Sequence, residues 1–150
     1  MKLIVLVKRT ELAKRFDLLC NAKPGDCGYD LKCTIDNPSG HIIIESKQYI
    51  DIPTGISVKL PDGYFAIIMP RSSVFTQKRG LRIHPGVIDN GFTGELKVLA
   101  VNESEDNIIV QDGERLAQLI MFPLVQAEFE EVEELPHTTR GSSGFGSTGR

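Results

Sequence analysis

Five short stretches hold the side chains most able to do chemistry. GVIDNGFTGE (86–95) sets Asp89 just before an Asn-Gly pair and Phe92 just after it. An aspartate is ionised at neutral pH and is a weak base, so at an exposed turn it can aim and deprotonate a water. A turn aspartate also commonly caps its own backbone, and that plainer role competes with the first. PRSSVF (70–75) places Arg71 beside Ser72 and Ser73, three groups that donate hydrogen bonds to an anion. A surface arginine ahead of an ordinary helix start would read the same way. PGDCGYDL (24–31) is glycine-rich and carries Asp30 next to an aromatic. In RLAQL (115–119), strand alternation puts Arg115, Ala117 and Leu119 on one face, with Leu116 and Gln118 on the other. RGSSGFGSTGR (140–150) has a single ring, Phe145, set among glycines and hydroxyls. Glycine lets backbone approach a ligand closely and turn its N–H groups toward an anion. A ring can stack on a flat base for about 1–3 kcal/mol. This segment reads as a lid that orders over a phosphorylated, planar ligand.

The elements that must position these groups are strands. Ile50, Ile52, Thr54, Ile56, Val58 and Leu60 form a period-2 row, with Pro53 on the opposite face. Further β-patterned segments are LIVLV (3–7), HIIIES (41–46), YFAIIM (64–69), ELKVLAVN (95–102), NIIV (107–110) and RLAQLIMFPLVQAEFEEV (115–132). Turn signals punctuate them at NPSG (37–40), PDG (61–63), HPG (84–86), NG (90–91) and QDG (111–113). NG predicts a tight hairpin between two strands. SSVFTQKRG (72–80) predicts one or two helical turns with Ser72 as N-cap, and TELAKRF (10–16) is a second short candidate. Many short strands with closely spaced turns predict an all-β barrel or jelly-roll-like sandwich. After Leu135 the apolar content collapses, so the chain is read as a β-barrel catalytic domain over 1–135 and a flexible arm over 136–150.

Composition narrows the function classes. A length of 150 residues with 41% apolar and 25% charged side chains suits one soluble domain. A net charge of −3 offers no basic field for duplex nucleic acid. No run of eighteen apolar residues indicates a membrane span, and the short apolar run in MKLIVLVKRTE reads as a strand, not a signal peptide. Cys20, Cys27 and Cys33 have neither disulfide-framework nor zinc spacing, which predicts an intracellular, cytoplasmic setting. No P-loop pattern occurs.

Taken in order, PGDCGYDL, PRSSVF, GVIDNGFTGE, RLAQLIMF and RGSSGFGSTG resemble the five motifs of the trimeric deoxyuridine triphosphatases. The resemblance spans residues 22–149. It implies a distorted jelly-roll barrel, a homotrimer with shared active sites, and Mg2+-dependent hydrolysis of dUTP to dUMP and pyrophosphate. That reaction keeps uracil out of DNA and supplies dUMP for thymidylate synthesis. It further implies that Asp89 activates the water attacking the α-phosphorus. Phe92 then packs on the deoxyribose where the family usually has tyrosine. Backbone groups of Gly86, Val87 and Ile88 meet uracil, while Arg71, Ser72, Ser73 and Gln118 meet the phosphates. Arg140, Phe145, Gly146, Ser147 and Thr148 close over the ligand, and Asp30 is linked to magnesium through water. Three positions depart from the pattern. Asp26 and Cys27 replace residues that are usually small, and His84 stands about where an asparagine is common.

Two rivals share the fold. A dCTP deaminase needs a carboxylate on the strand after the Asp89 turn, where this chain has Leu99, and an arginine where it has Thr76. A non-catalytic regulator that holds a protein partner is the other. Retention of Asp89, Arg71, Gln118 and Phe145 speaks for catalysis.

Overall fold

The computed structural model describes residues 3–19 and 23–142. Ten strands carry the architecture: β1 (Leu6–Arg9), β2 (Gly28–Lys32), β3 (His41–Ile44), β4 (Tyr49–Lys59), β5 (Tyr64–Pro70), β6 (Leu81–Ile83), β7 (Gly86–Ile88), β8 (Glu95–Asn102), β9 (Ile108–Gln111) and β10 (Arg115–Pro123). A 3-10 turn covers Ala13–Arg15, and one short helix, α1, covers Ser72–Gln77. The strands pair antiparallel in three sheets, ordered β1-β4-β8-β6, β2-β10-β5-β7 and β3-β9. This is the all-β, jelly-roll-like fold that the strand pattern predicts.

Burial follows the period-2 rows. Ile52, Thr54, Ile56, Val58 and Leu60 point into the core, and Pro53 points out. They pack with Leu31, Leu96, Val98, Leu116 and Leu119 in one continuous cluster. Among the described residues the buried polar side chains are satisfied, as they must be in an apolar interior. Thr54 donates its hydroxyl to the Leu96 carbonyl at 2.7 Å. The fully buried Asn102 donates to the Ile44 and Asp106 carbonyls and accepts from Ser104, which ties β8 to β3.

Four local expectations change. Ser72 is the first helical residue, not the cap. Arg71 holds the N-cap position in extended backbone, and no side chain caps the helix. The second candidate helix shortens to the 3-10 turn, where Thr10 Oγ1 accepts from the Ala13 N–H. The strand expected over 115–132 ends at Pro123, because β10 lies between β2 and β5, and β2 runs out at Ile120 and β5 at Pro123. The Asn-Gly pair is not a hairpin tip. Its flanking strands β7 and β8 belong to different sheets, so residues 89–94 form a corner between sheets.

Cys27 is exposed and Cys33 is buried, and both are free thiols. Burial, reinforced by Glu114 and Asp112, pushes the Cys33 thiol up to about 12. The folded state therefore holds this proton more tightly than the unfolded chain does. The stability this contributes is fully present below the ordinary thiol range and is lost as pH rises toward 12. Iodoacetamide at pH 8 is expected to label Cys27 and to spare Cys33 until the protein is unfolded. Peptide mass spectrometry checks this, and equal labelling of both thiols in the folded state would contradict it.

Candidate functional site

The second sheet gathers three of the five chemical stretches at one end. In its register Asp30 on β2 lies opposite Gln118 on β10, and Gln118 lies opposite Met69 on β5. Arg71 follows directly from β5, and its N–H extends the ladder by donating to the Leu116 carbonyl at 3.1 Å. Asp30 is the hub of the cluster. Its Oδ1 accepts from Arg71 Nε at 2.7 Å and its Oδ2 from Arg115 Nη1 at 3.0 Å. Arg71 Nη1 also reaches Ser73 Oγ at 3.4 Å.

Arg115 is a site residue that strand alternation misplaces. The pairing of β10 with β2 slips between Arg115 and Ala117, a β-bulge, and Leu116 and Ala117 are both buried. The extra residue brings Arg115 round to the face of Gln118 and Asp30, which is what a bulge does to a side chain. Nothing in RLAQL itself announces the bulge.

A cavity of about 350 Å³ opens over this cluster, lined by Gly25, Asp26, Cys27, Gly28, Asp30, Arg71, Ser72 and Gln118. Gln118 donates its amide to the Pro70 carbonyl at 3.2 Å and lies across Gly28. A β-carbon on Gly28 would sit 2.0 Å from Gln118 Oε1, so only glycine leaves that amide in place. Asp26 closes a tight turn: its Oδ2 accepts from the Lys23 N–H at 2.8 Å. Gly25, with φ of 95°, supplies the backbone bend that this turn needs. A larger cavity of about 630 Å³ lies beside it between α1 and β6, sharing Arg71 and Ser72 and lined further by apolar groups such as Val74, Leu81 and Ile83 and by charged ones such as Arg82 and Glu103.

The other chemical stretch lies elsewhere on the same sheet. Among the described residues β7 pairs with β5 along one edge only, and they leave the second edge of Gly86, Val87 and Ile88 open for hydrogen bonding. Val87 is exposed and Ile88 is buried. Asp89 follows, exposed, and its carboxylate has no hydrogen-bond or ion-pair partner among the described residues. It does not cap its own turn; only its backbone carbonyl does, accepting from the Phe92 N–H at 3.0 Å. Asn90 does the anchoring, donating to the Pro61 and Tyr64 carbonyls while Lys59 contacts it in return. Phe92 is about half exposed and its ring lies against Gly94, where a β-carbon would come within 2.7 Å of it.

Within one chain these two groups do not meet. Ile88 pairs with Ala66, so Asp89 continues toward Phe65, six residues before Arg71, which lies just past the other end of β5. At about 3.3 Å per residue the separation is about 20 Å. His84 is exposed, with its N–H on the Leu99 carbonyl, and joins neither group. Arg140 is exposed near the end of the described chain, and Phe145, Gly146, Ser147 and Thr148 lie outside the described residues.

The fold and cavity define an all-β protein whose sheet end presents guanidinium, hydroxyl and amide donors around a glycine floor, suited to an anionic ligand. The dUTPase family profile matches residues 14–149, and the chain belongs to that family. It is 38% identical over 151 residues to the deoxyuridine 5'-triphosphate nucleotidohydrolase of Hydrogenobaculum sp. (strain Y04AAS1), covering 99% of each chain. It is 41% identical over 131 residues to the protein of that name from Cutibacterium acnes, covering 85% of this chain and 82% of that one. Among solved structures, the Staphylococcus bacteriophage 80alpha dUTPase with dUPNHPP matches with a TM-score of 0.81 and 26% identity. That match covers 98% of this chain and 99% of the phage chain.

Proposed function

We propose that this chain hydrolyses dUTP to dUMP and pyrophosphate, with Asp89 as the base. The observation that carries the mechanism is the unpartnered Asp89 carboxylate at the end of an open-edged strand. The open edge of Gly86, Val87 and Ile88 pairs with the uracil, and Phe92 packs on the deoxyribose. A fixed row of backbone donors and acceptors rejects cytosine, because a mismatched base leaves buried polar groups unpaired. Asp89 takes a proton from water as the water oxygen bonds to the α-phosphorus. The bond from that phosphorus to the bridging oxygen breaks, and pyrophosphate leaves. Positioning and charge neutralisation supply most of the rate.

Arg71, Ser72, Ser73 and Gln118 hold the phosphate chain over the cavity. The separation of about 20 Å between Asp89 and Arg71 then excludes both from acting on one triphosphate within a single chain. The reading therefore takes a homotrimer in which Asp89 of one copy faces the Arg71 cluster of another. Residues 1–135 form the body. Residues 136–150 form the arm, in which Arg140, Phe145, Gly146, Ser147 and Thr148 cover the nucleotide. No helix among the described residues is long and apolar enough to cross a membrane.

The donor set also bears on magnesium. Among the described residues no three His, Cys, Asp or Glu side chains converge on one point, so those residues build no metal cage. The cavity wall carries Asp26, Asp30 and Arg71, a formal sum of −1, so it does not neutralise a triphosphate by itself. These residues fit a hard cation that arrives on the phosphates and keeps its waters, with Asp30 accepting from one of them. Bound magnesium would spread and neutralise the phosphate charge. Pyrophosphate release from dUTP, measured with and without Mg2+ and beside dCTP and UTP, tests the proposal. Rapid release from dUTP alone is expected. Turnover of dCTP with ammonia release, or no turnover at all, would overturn it.

A further inference from the structure

We infer that Arg115 is a positioning residue for the phosphate site, acting through Asp30 on Arg71. The inference rests on the function proposed above and adds to it a residue outside the cavity wall. Asp30 lies beside the one arginine of that wall, where by itself it would cancel the cation that an anionic ligand needs. Arg115 engages the other oxygen of the same carboxylate. The pair Asp30–Arg71 sums to zero charge, and the triad with Arg115 sums to +1.

Geometry gives the triad an order. The side chains of Asp30, Arg71 and Arg115 are 16%, 24% and 48% exposed, so the carboxylate is the inner member and Arg115 the outer one. Arg71 uses its Nε on Asp30, which leaves the terminal amino groups of its fork for Ser73 and for a ligand over the cavity. Arg115 does not line the cavity. Its effect must pass through the carboxylate, whose Oδ2 it occupies so that Oδ1 stays fixed on Arg71. The bulge in β10 exists at the residue that brings Arg115 to this face, and it leaves Leu116 and Ala117 both in the core.

The test uses the full chain and inorganic pyrophosphate as the probe. In Arg115→Gln the Kd for pyrophosphate by calorimetry and the KM for dUTP are each expected to rise about tenfold, with kcat within about threefold of wild type. Arg115→Lys should recover part of the loss, since it restores the charge without the fork. Because Arg115 acts through Asp30, adding Arg115→Gln to Asp30→Asn should cost nothing further. Unchanged pyrophosphate affinity in Arg115→Gln, or an equal loss in the Asp30→Asn background, would overturn the inference. So would a loss explained by a lowered melting temperature that Arg115→Lys shares. Calorimetry needs no turnover. A chain that binds pyrophosphate as described but leaves dUTP intact would sink the proposed function and leave the arginine clamp standing.

Discussion

Asp89→Asn is expected to lower kcat for dUTP by about a thousandfold while KM stays within about threefold. The carboxylate touches nothing else in the described chain, so its replacement by an amide of the same shape removes no bond that supports the fold. The turn is held by the Asp89 backbone carbonyl and by Asn90, and both survive the change. What is lost is the acceptor for the water proton and the charge that aims the water. A melting temperature within a degree or two of wild type is expected alongside the kinetic collapse. A fall of many degrees would assign Asp89 a structural role, and retained turnover would move the base elsewhere. Placement strengthens the expectation: Ile88 is buried against Ala66, so the residue after it projects from a fixed strand.

The strands were legible where one face is buried and the other wet. The row from Ile50 to Leu60 shows its inward face in the letters alone, and Glu95–Asn102 likewise matches β8. Three features were not legible, each for a non-local reason. The Asn-Gly pair has the chemistry of a hairpin, but whether its flanking strands pair is decided by β4, β5 and β6, which the stretch does not contain. Val125 and Phe129 continue the apolar rhythm past Pro123, yet the strands that flank β10 have ended and a strand needs a partner. Arg115 was assigned the wrong face because alternation assumes an unbroken register.

The order of the motifs also hides a distance. PRSSVF and GVIDNGFTGE are separated by only ten residues in the chain, which invites a picture of one compact site. The intervening residues Thr76–Pro85 include the end of α1 and the whole of β6, and they return the chain antiparallel along β5. Asp89 therefore emerges at the opposite end of β5 from Arg71. Adjacency in sequence becomes separation in space, and that separation is the physical reason for expecting a second copy of the chain to complete the site.

Removing residues 140–150 is expected to cut kcat/KM for dUTP by about a hundred- to ten-thousandfold, from the loss of one stacked ring and one or two charge-assisted phosphate contacts. The fold should not notice. The buried core ends at Leu119, the last strand ends at Pro123, and Arg140, Gly141 and Ser142 are exposed. Melting temperature and elution volume should therefore match the full chain, and kinetics should carry the whole effect. The size of the loss follows from the charge at the cavity. The cavity wall, with Asp26 and Asp30 beside Arg71, is not basic by itself, so each added cation and N–H donor counts for more than it would in a basic site. Phe145→Ala alone should cost about tenfold or more, from stacking, and Arg140→Gln a similar factor, from charge. A truncated chain with full activity would show that the cavity and the Arg71–Asp30–Arg115 cluster suffice, and that the glycine-rich segment does something other than cover the nucleotide.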